Sequence, residues 1–395
     1  MTTATTPSRR PGRAGSRYST RRVAELRAER AREDRYKRWR LRHRMRSVTR
    51  LDRVAGCALA AVEEFVPVHM SEGVASFGGI ITCGSVWACA PCSAKIRQRR
   101  SDVVEDRARR WLAEGRGLVF VTLTMSHTIG DELADTLTAV TDAWKAVQQH
   151  RSVRERLSVY GYVGPLRATE ITHGYNGWHP HLHVLLWFER SLDDQAVRSI
   201  EQAIADVWCG RVTASRERGV VAVAVGSAGV GEYLVKLQDG YESDRWSAAR
   251  EMTRADLKRG RSRHRTPFQI AEAAVGGDRK ALALWRVYER ETRGRRCIQW
   301  GAKLLARLKI EEQTDEQLAA ESTGDVVVEL SRSEWNVLRT YRREAYYLAE
   351  LERGGVVRAN DVLVSTLRRL RVDCARRRMW RSPDDCGLVL ARSGA

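Results

Sequence analysis

Three histidines at alternate positions stand in the run Trp178-His179-Pro180-His181-Leu182-His183-Val184-Leu185-Leu186. On a strand successive side chains face opposite sides, so His179, His181 and His183 project from one face while Leu182, Val184 and Leu186 pack on the other. Neutral imidazole is the commonest metal ligand, and a bound divalent ion can polarise a phosphoryl oxygen for attack by a nucleophile. Glu170 lies on the preceding apolar run, beyond the turn residues Gly174-Tyr175-Asn176-Gly177. A hairpin closed there sets its carboxylate beside His181 and His183. Two imidazoles and one carboxylate with open positions suit Mn²⁺, or Mg²⁺ completed by phosphate oxygens. Further along, Tyr233 and Lys236 stand three residues apart on a helix predicted over 230–237 and share a face. A phenolic oxygen is a competent nucleophile, and a neighbouring ammonium stabilises its charged form.

A second constellation is Cys83, Cys89 and Cys92. The Cys-x-x-Cys pair is the usual knuckle of a structural zinc site, and a third thiolate six residues earlier fits the same tetrahedral Zn²⁺; Cys57 or His69 could supply the fourth ligand. The helix that follows carries Arg97, Arg99 and Arg100, and a later basic run carries Lys258, Arg259, Arg261 and Arg263; both are candidate DNA-binding segments.

The composition supports that partner. The 395 residues hold 69 Lys+Arg against 49 Asp+Glu, a net charge of +20, and nucleic acid is the expected polyanion. No uncharged apolar run is long enough to span or anchor in a membrane. Eight cysteines without an apolar leader segment point to a reducing cytoplasm. Residues 1–50 contain 17 basic and 4 acidic residues, and so little apolar bulk that a disordered arm, or a helix formed only on DNA, is expected.

The elements that must hold the site follow from periodicity. Strands are predicted over 118–125, 162–172, 181–188 and 220–225, and helices over 133–149 and 197–208. The order βαββαβ gives an α+β domain, an antiparallel sheet with helices on one face, leaving the other face for DNA and metal. The domain boundaries expected are a basic arm over 1–50, a zinc-binding segment over 51–115, a domain carrying the histidine motif with a helical extension over 116–310, and a helical C-terminal segment over 320–395.

The blocks Phe120-Val121-Thr122-Leu123-Thr124, Glu170-Ile171-Thr172, His179 to His183, and Tyr233 with Lys236 occur in one order. In that order they resemble the His-hydrophobe-His initiators, and specifically the single-tyrosine rolling-circle plasmid replication initiators of bacteria. Arg265-Thr266-Pro267-Phe268, Gly277-Asp278, Leu284-Trp285 and Gly294-Arg295-Arg296 resemble the actinobacterial members. The resemblance implies the His-hydrophobe-His nuclease fold, with His181 and His183 as ligands and His179 in support. It implies attack of Tyr233 on a DNA phosphodiester, assisted by Lys236, which leaves a 5′-phosphotyrosine and a 3′-hydroxyl primer. The implied partners are single-stranded and hairpin origin DNA, host helicase and host polymerase. Related single-tyrosine members carry a carboxylate one turn before the tyrosine, where this chain has Gly229. Two alternatives use parts of the pattern: a single-tyrosine transposase of the same superfamily, and a zinc-containing DNA-binding regulator in which the histidines are structural.

Overall fold

The computed structural model describes residues 20–213, 219–225 and 264–377. A five-stranded antiparallel sheet forms its centre, built from β3 (Gly117–Leu123), β4 (Tyr162–Gly174), β5 (Gly177–Phe188), β6 (Val220–Ala224) and β7 (Ile298–Trp300) in the order β6-β3-β5-β4-β7. The histidine-bearing β5 lies between β3 and β4. One face is covered by α4 (Leu133–Gln149), α5 (Arg151–Val159) and α6 (Asp194–Trp208). There Val140, Trp144, Leu157, Ile200, Ile204 and Trp208 pack on Val119, Val121, Leu182, Val184 and Leu186. Each such buried side chain contributes on the order of 1.5–3 kcal/mol relative to exposure. The α6 start is sealed by Asp193, whose carboxylate accepts from the Ala196 N–H at 2.7 Å. The α+β class and the βαββαβ order expected from the sequence hold, with α5 as an addition.

The opposite face differs from expectation, because it is open only in part. Its other end is covered by α3 (Ala90–Ala113), α7 (Pro267–Val275) and α8 (Arg279–Thr292). Leu118, Phe120, Leu166, Leu185 and Trp187 share one core with Ile96, Val104, Trp111, Ile270, Trp285 and Tyr288. Trp111 meets Trp187 edge-on at 5.3 Å and donates to the Phe188 carbonyl at 3.0 Å. The face left for function is the end carrying the histidines.

A second sheet joins a segment that precedes the large sheet to one that follows it. β1 (Phe65–Ser71) lies between β2 (Val74–Phe77) and β8 (Asp325–Ser331), both antiparallel. The segment after 320, expected as purely helical, therefore begins with a strand, followed by α11 (Arg332–Thr340) and α12 (Glu344–Arg377). α12 breaks at Gly354 and Gly355, the latter at φ 68, a left-handed value that favours glycine. The remaining short helices are α2 (Asp52–Ala55), α9 (Ala302–Leu308) and α10 (Asp315–Ala320).

The basic arm is the largest correction. Thr20–Met45 forms a 26-residue helix, α1, packed on the body of the protein. Leu41 and Met45 are buried, Arg32 and Arg35 bind Glu352, and Arg42 and His43 bind Glu344. Carboxylates some 300 residues away in sequence supply what the arm lacks by itself. Residues 1–19 lie outside the described residues. No helix among the described residues is long and apolar enough to cross a membrane.

Candidate active site

The β4–β5 register sets Glu170 directly across from His181, with Ala168 across from His183 and Thr172 across from His179. Directly opposed residues of an antiparallel pair project on the same side. Glu170 Oε2 consequently lies 3.1 Å from His181 Nε2 and 3.0 Å from His183 Nε2. Three donor atoms converge on one point. Two ligands about 2.1 Å from one ion and at right angles are about 3.0 Å apart, so the spacing fits an octahedral ion of the Mg²⁺ or Mn²⁺ size. Glu170 and His183 are buried and His181 nearly so. On the other flank Thr122, paired with His183 across β3, brings its hydroxyl 3.3 Å from His183 Nδ1. That contact fixes the ring and leaves Nε2 directed at the carboxylate.

His179 stands beside this group, its ring centroid 5.2 Å from that of His181. Its Nδ1 lies 3.1 Å from Nδ1 of His127, and His264 packs against it from 6.4 Å. Burial, reinforced by His181, His127 and His264, pulls the pKa of His179 down to about 3, so the ring is neutral at physiological pH. His173 is lowered for the same first reason, with Arg265 adding to it. Glycine makes room for this cluster: a Cβ on Gly174 would fall 2.4 Å from the His264 ring, and Gly177 closes the hairpin at φ 89. Sequence reading missed Thr122 as a partner of His183, and missed His127 and His264 altogether. The latter two arrive from separate loops, and only the end of the Phe120–Thr124 block hinted that His127 was near.

The four thiols of Cys57, Cys83, Cys89 and Cys92 are buried, and all four sulfurs lie within 4.8 Å of one another. Cys57 Sγ is 3.6 Å from both Cys89 and Cys92, and Cys83 Sγ is 3.7 Å from Cys92. Sulfurs held about 2.3 Å from one tetrahedral ion are about 3.8 Å apart, so the knot fits zinc. Without a cation the four cannot ionise together. Hydrogen bonds from the other three hold Cys57 far below the usual thiol range, while Cys83 and Cys89 are pushed up because they donate. Cys57 is the fourth member; His69 instead lies on β1 against the Gly324 carbonyl at 3.2 Å. Arg42 Nη1 contacts the Cys57 carbonyl at 2.5 Å, which ties the knot to α1.

The profile of the replication protein family matches residues 86–346, about two thirds of the chain, a span that holds Glu170, His181 and His183 with Cys89 and Cys92, while Cys57 and Cys83 precede it. The chain belongs to the replication protein family. The resemblance to rolling-circle initiators is borne out at that level. Among relatives, a Protein rep of Streptomyces lividans is 28% identical over 337 residues, covering 66% of this chain and 72% of that protein. A Neomycin resistance protein of Streptomyces cyanogenus is 30% identical over 141 residues, 29% of this chain and 32% of that one. A Protein rep of Bacillus amyloliquefaciens is 32% identical over 101 residues, 25% of this chain and 27% of that one. No solved structure matches.

Other expected site residues of this family member fare differently. Arg97 is 4% exposed, bonded to Ser93 Oγ at 3.1 Å and set over the Trp87 ring. Arg99 reaches Thr323 at 2.7 Å, and Arg100 pairs with Asp315 at 2.7 Å. Arg97 is thereby turned inward, and the partly buried Arg99 and Arg100 are engaged by partners within the protein. Tyr233, Lys236, Lys258, Arg259, Arg261 and Arg263 lie outside the described residues, as do the helix expected over 230–237 and Gly229.

Proposed function

We propose that this replication protein is a DNA nicking and joining enzyme that initiates rolling-circle replication. The convergence of Glu170, His181 and His183 on one point of a paired hairpin carries the reading, in a chain whose family is replication protein. In this reading the five-stranded sheet is a His-hydrophobe-His nuclease fold, residues 116–310 are the endonuclease unit, and the Cys57, Cys83, Cys89 and Cys92 knot is a structural zinc site. Glu170, His181 and His183 hold Mn²⁺ or Mg²⁺, which when bound offsets charge on a non-bridging phosphate oxygen. His179, kept neutral by burial, supports the ligands from behind with His127. Tyr233 supplies the attacking oxygen and Lys236 stabilises its phenolate. The P–O3′ bond breaks, the 5′ phosphate becomes esterified to Tyr233, and the freed 3′-hydroxyl primes synthesis; reversal of the same step rejoins the strand. Origin DNA, single-stranded or extruded as a hairpin, is the substrate, and host helicase and polymerase in the bacterial cytoplasm are the partners.

The test is formation of a covalent adduct with single-stranded origin oligonucleotides. The wild type is expected to form one in Mn²⁺, with the nucleotide mapped by mass spectrometry to Tyr233, and Tyr233→Phe is expected to bind the same DNA without forming it. An adduct mapped to Tyr241, or retained by Tyr233→Phe, would overturn the assignment.

A further inference from the structure

Beside the metal site, on the same face of the sheet, lies a cleft of about 650 Å³ whose floor is Trp87, Cys297 and Ile298. Its position follows from alternation along β7. Trp300 meets Trp187 at 6.5 Å, and Trp187 shares its face of β5 with His183 and His181; Ile298, two residues from Trp300, shares that face as well. Ile298 pairs with Ala168. Beyond it the Cys297 carbonyl accepts from the Thr169 N–H at 2.8 Å, which sets Cys297 beside the residue that precedes Glu170 on β4.

The charges in the cleft are unevenly matched. Arg53 pairs with Glu316 at 2.7 Å, Arg100 with Asp315 at 2.7 Å, and Arg296 with Glu312 at 3.5 Å. Glu289 is occupied by the Thr49 hydroxyl and by the Arg50 N–H at 2.8 Å. Three lining guanidiniums, those of Arg50, Arg293 and Arg295, have no carboxylate partner among the described residues, the last donating to the Glu291 carbonyl at 2.7 Å, against two lining carboxylates without a cationic partner, Asp52 and Glu289. The loop that presents two of them is held in place. Gly294 turns it at φ 73, and the Trp87 indole N–H donates to the Arg295 carbonyl at 2.8 Å.

We propose that this cleft seats backbone phosphates of the DNA strand next to the scissile one, with Arg50, Arg293 and Arg295 as the contacts. The inference rests on the nicking reading for the identity of its ligand. Guanidinium forks match phosphate oxygens, and Trp87, buried beneath the loop, offers no surface for a base to stack on. The site therefore holds DNA without regard to sequence.

The experiment measures oligo-dT binding by fluorescence anisotropy without added Mn²⁺ or Mg²⁺ over a salt series, for dT6 and dT20. In the wild type dT20 is expected to bind more tightly than dT6. In R50Q/R293Q/R295Q that gain shrinks, and the slope of log affinity against log salt becomes shallower by about 0.7 per contact, about 2 in all. R109Q/R110Q, on the exposed far end of α3, is expected to change neither. An unchanged slope in the triple variant would overturn the site, and so would an equal loss in R109Q/R110Q, which would mean a diffuse basic surface. Zinc content and circular dichroism of each variant report the fold. Adduct formation by the wild type is scored separately: its absence would count against the nicking reading, whereas the dT comparison decides the cleft.

Discussion

At the residue scale, substitutions in the two candidate metal-binding groups separate what each does. Glu170→Gln keeps the shape of the side chain but removes the charge on which His181 and His183 converge. Mn²⁺ affinity measured by calorimetry is expected to fall at least tenfold, with thermal stability little changed, because an open site contributes modestly to folding. Cys57→Ser is expected to lower zinc content as far as Cys89→Ser does, while His69→Ala leaves it intact; elemental analysis of the purified variants decides. The site was legible in the sequence where its ligands share an element. His181 and His183 announce themselves by a period of two, and Glu170 by its distance from the hairpin turn. Cys57 stands 26 residues before its nearest partner thiol, with a hairpin between them, so spacing could not choose it over His69. His127 and His264 are brought to His179 by tertiary folding alone.

At the element scale, the contact between α1 and α12 carries a measurable load. Arg42 and Glu344 are 2% and 1% exposed in their side chains, so Glu344→Ala strands a buried guanidinium. Such a loss costs about 3–5 kcal/mol, and a corresponding fall in the denaturant midpoint is expected, less severe in Glu344→Gln, which keeps an acceptor. In the hairpin, Gly174→Val is expected to displace His264 and to alter the chemical shifts of His179 while leaving the strand pairing intact. The helices over 133–149 and 197–208 and the strands beside them were readable because apolar residues recur along them at the right period. Composition misled for α1, since Arg-rich sequence reads as solvated until Glu344 and Glu352 are placed beside it. Arg97 misled for a related reason: a basic run on a helix does not say which of its members turn inward.

At the scale of the whole molecule, the Cys57, Cys83, Cys89 and Cys92 knot, α1 and α12 form one connected support, joined where Arg42 touches both the Cys57 carbonyl and Glu344. Removing residues 1–45 is therefore expected to lower Tm as well as DNA affinity, and stripping zinc with a chelator is expected to loosen the helix over 344–353. Hydrogen exchange followed by mass spectrometry reads both effects; unchanged protection there after zinc loss would show that the support is not shared. The pairing of β1 with β8 has a consequence in time. Val68 meets Val328, so a nascent chain exposes the β1–β2 hairpin long before its third strand exists. At bacterial translation speeds of about 5–20 residues per second the open edge waits roughly 10–50 s, while β3 to β6 can close as soon as they emerge. Released chains ending at residue 310 are expected to resist protease across the large sheet and to be cut at the hairpin, which makes the smaller sheet the later of the two to close and the one left open to chaperones.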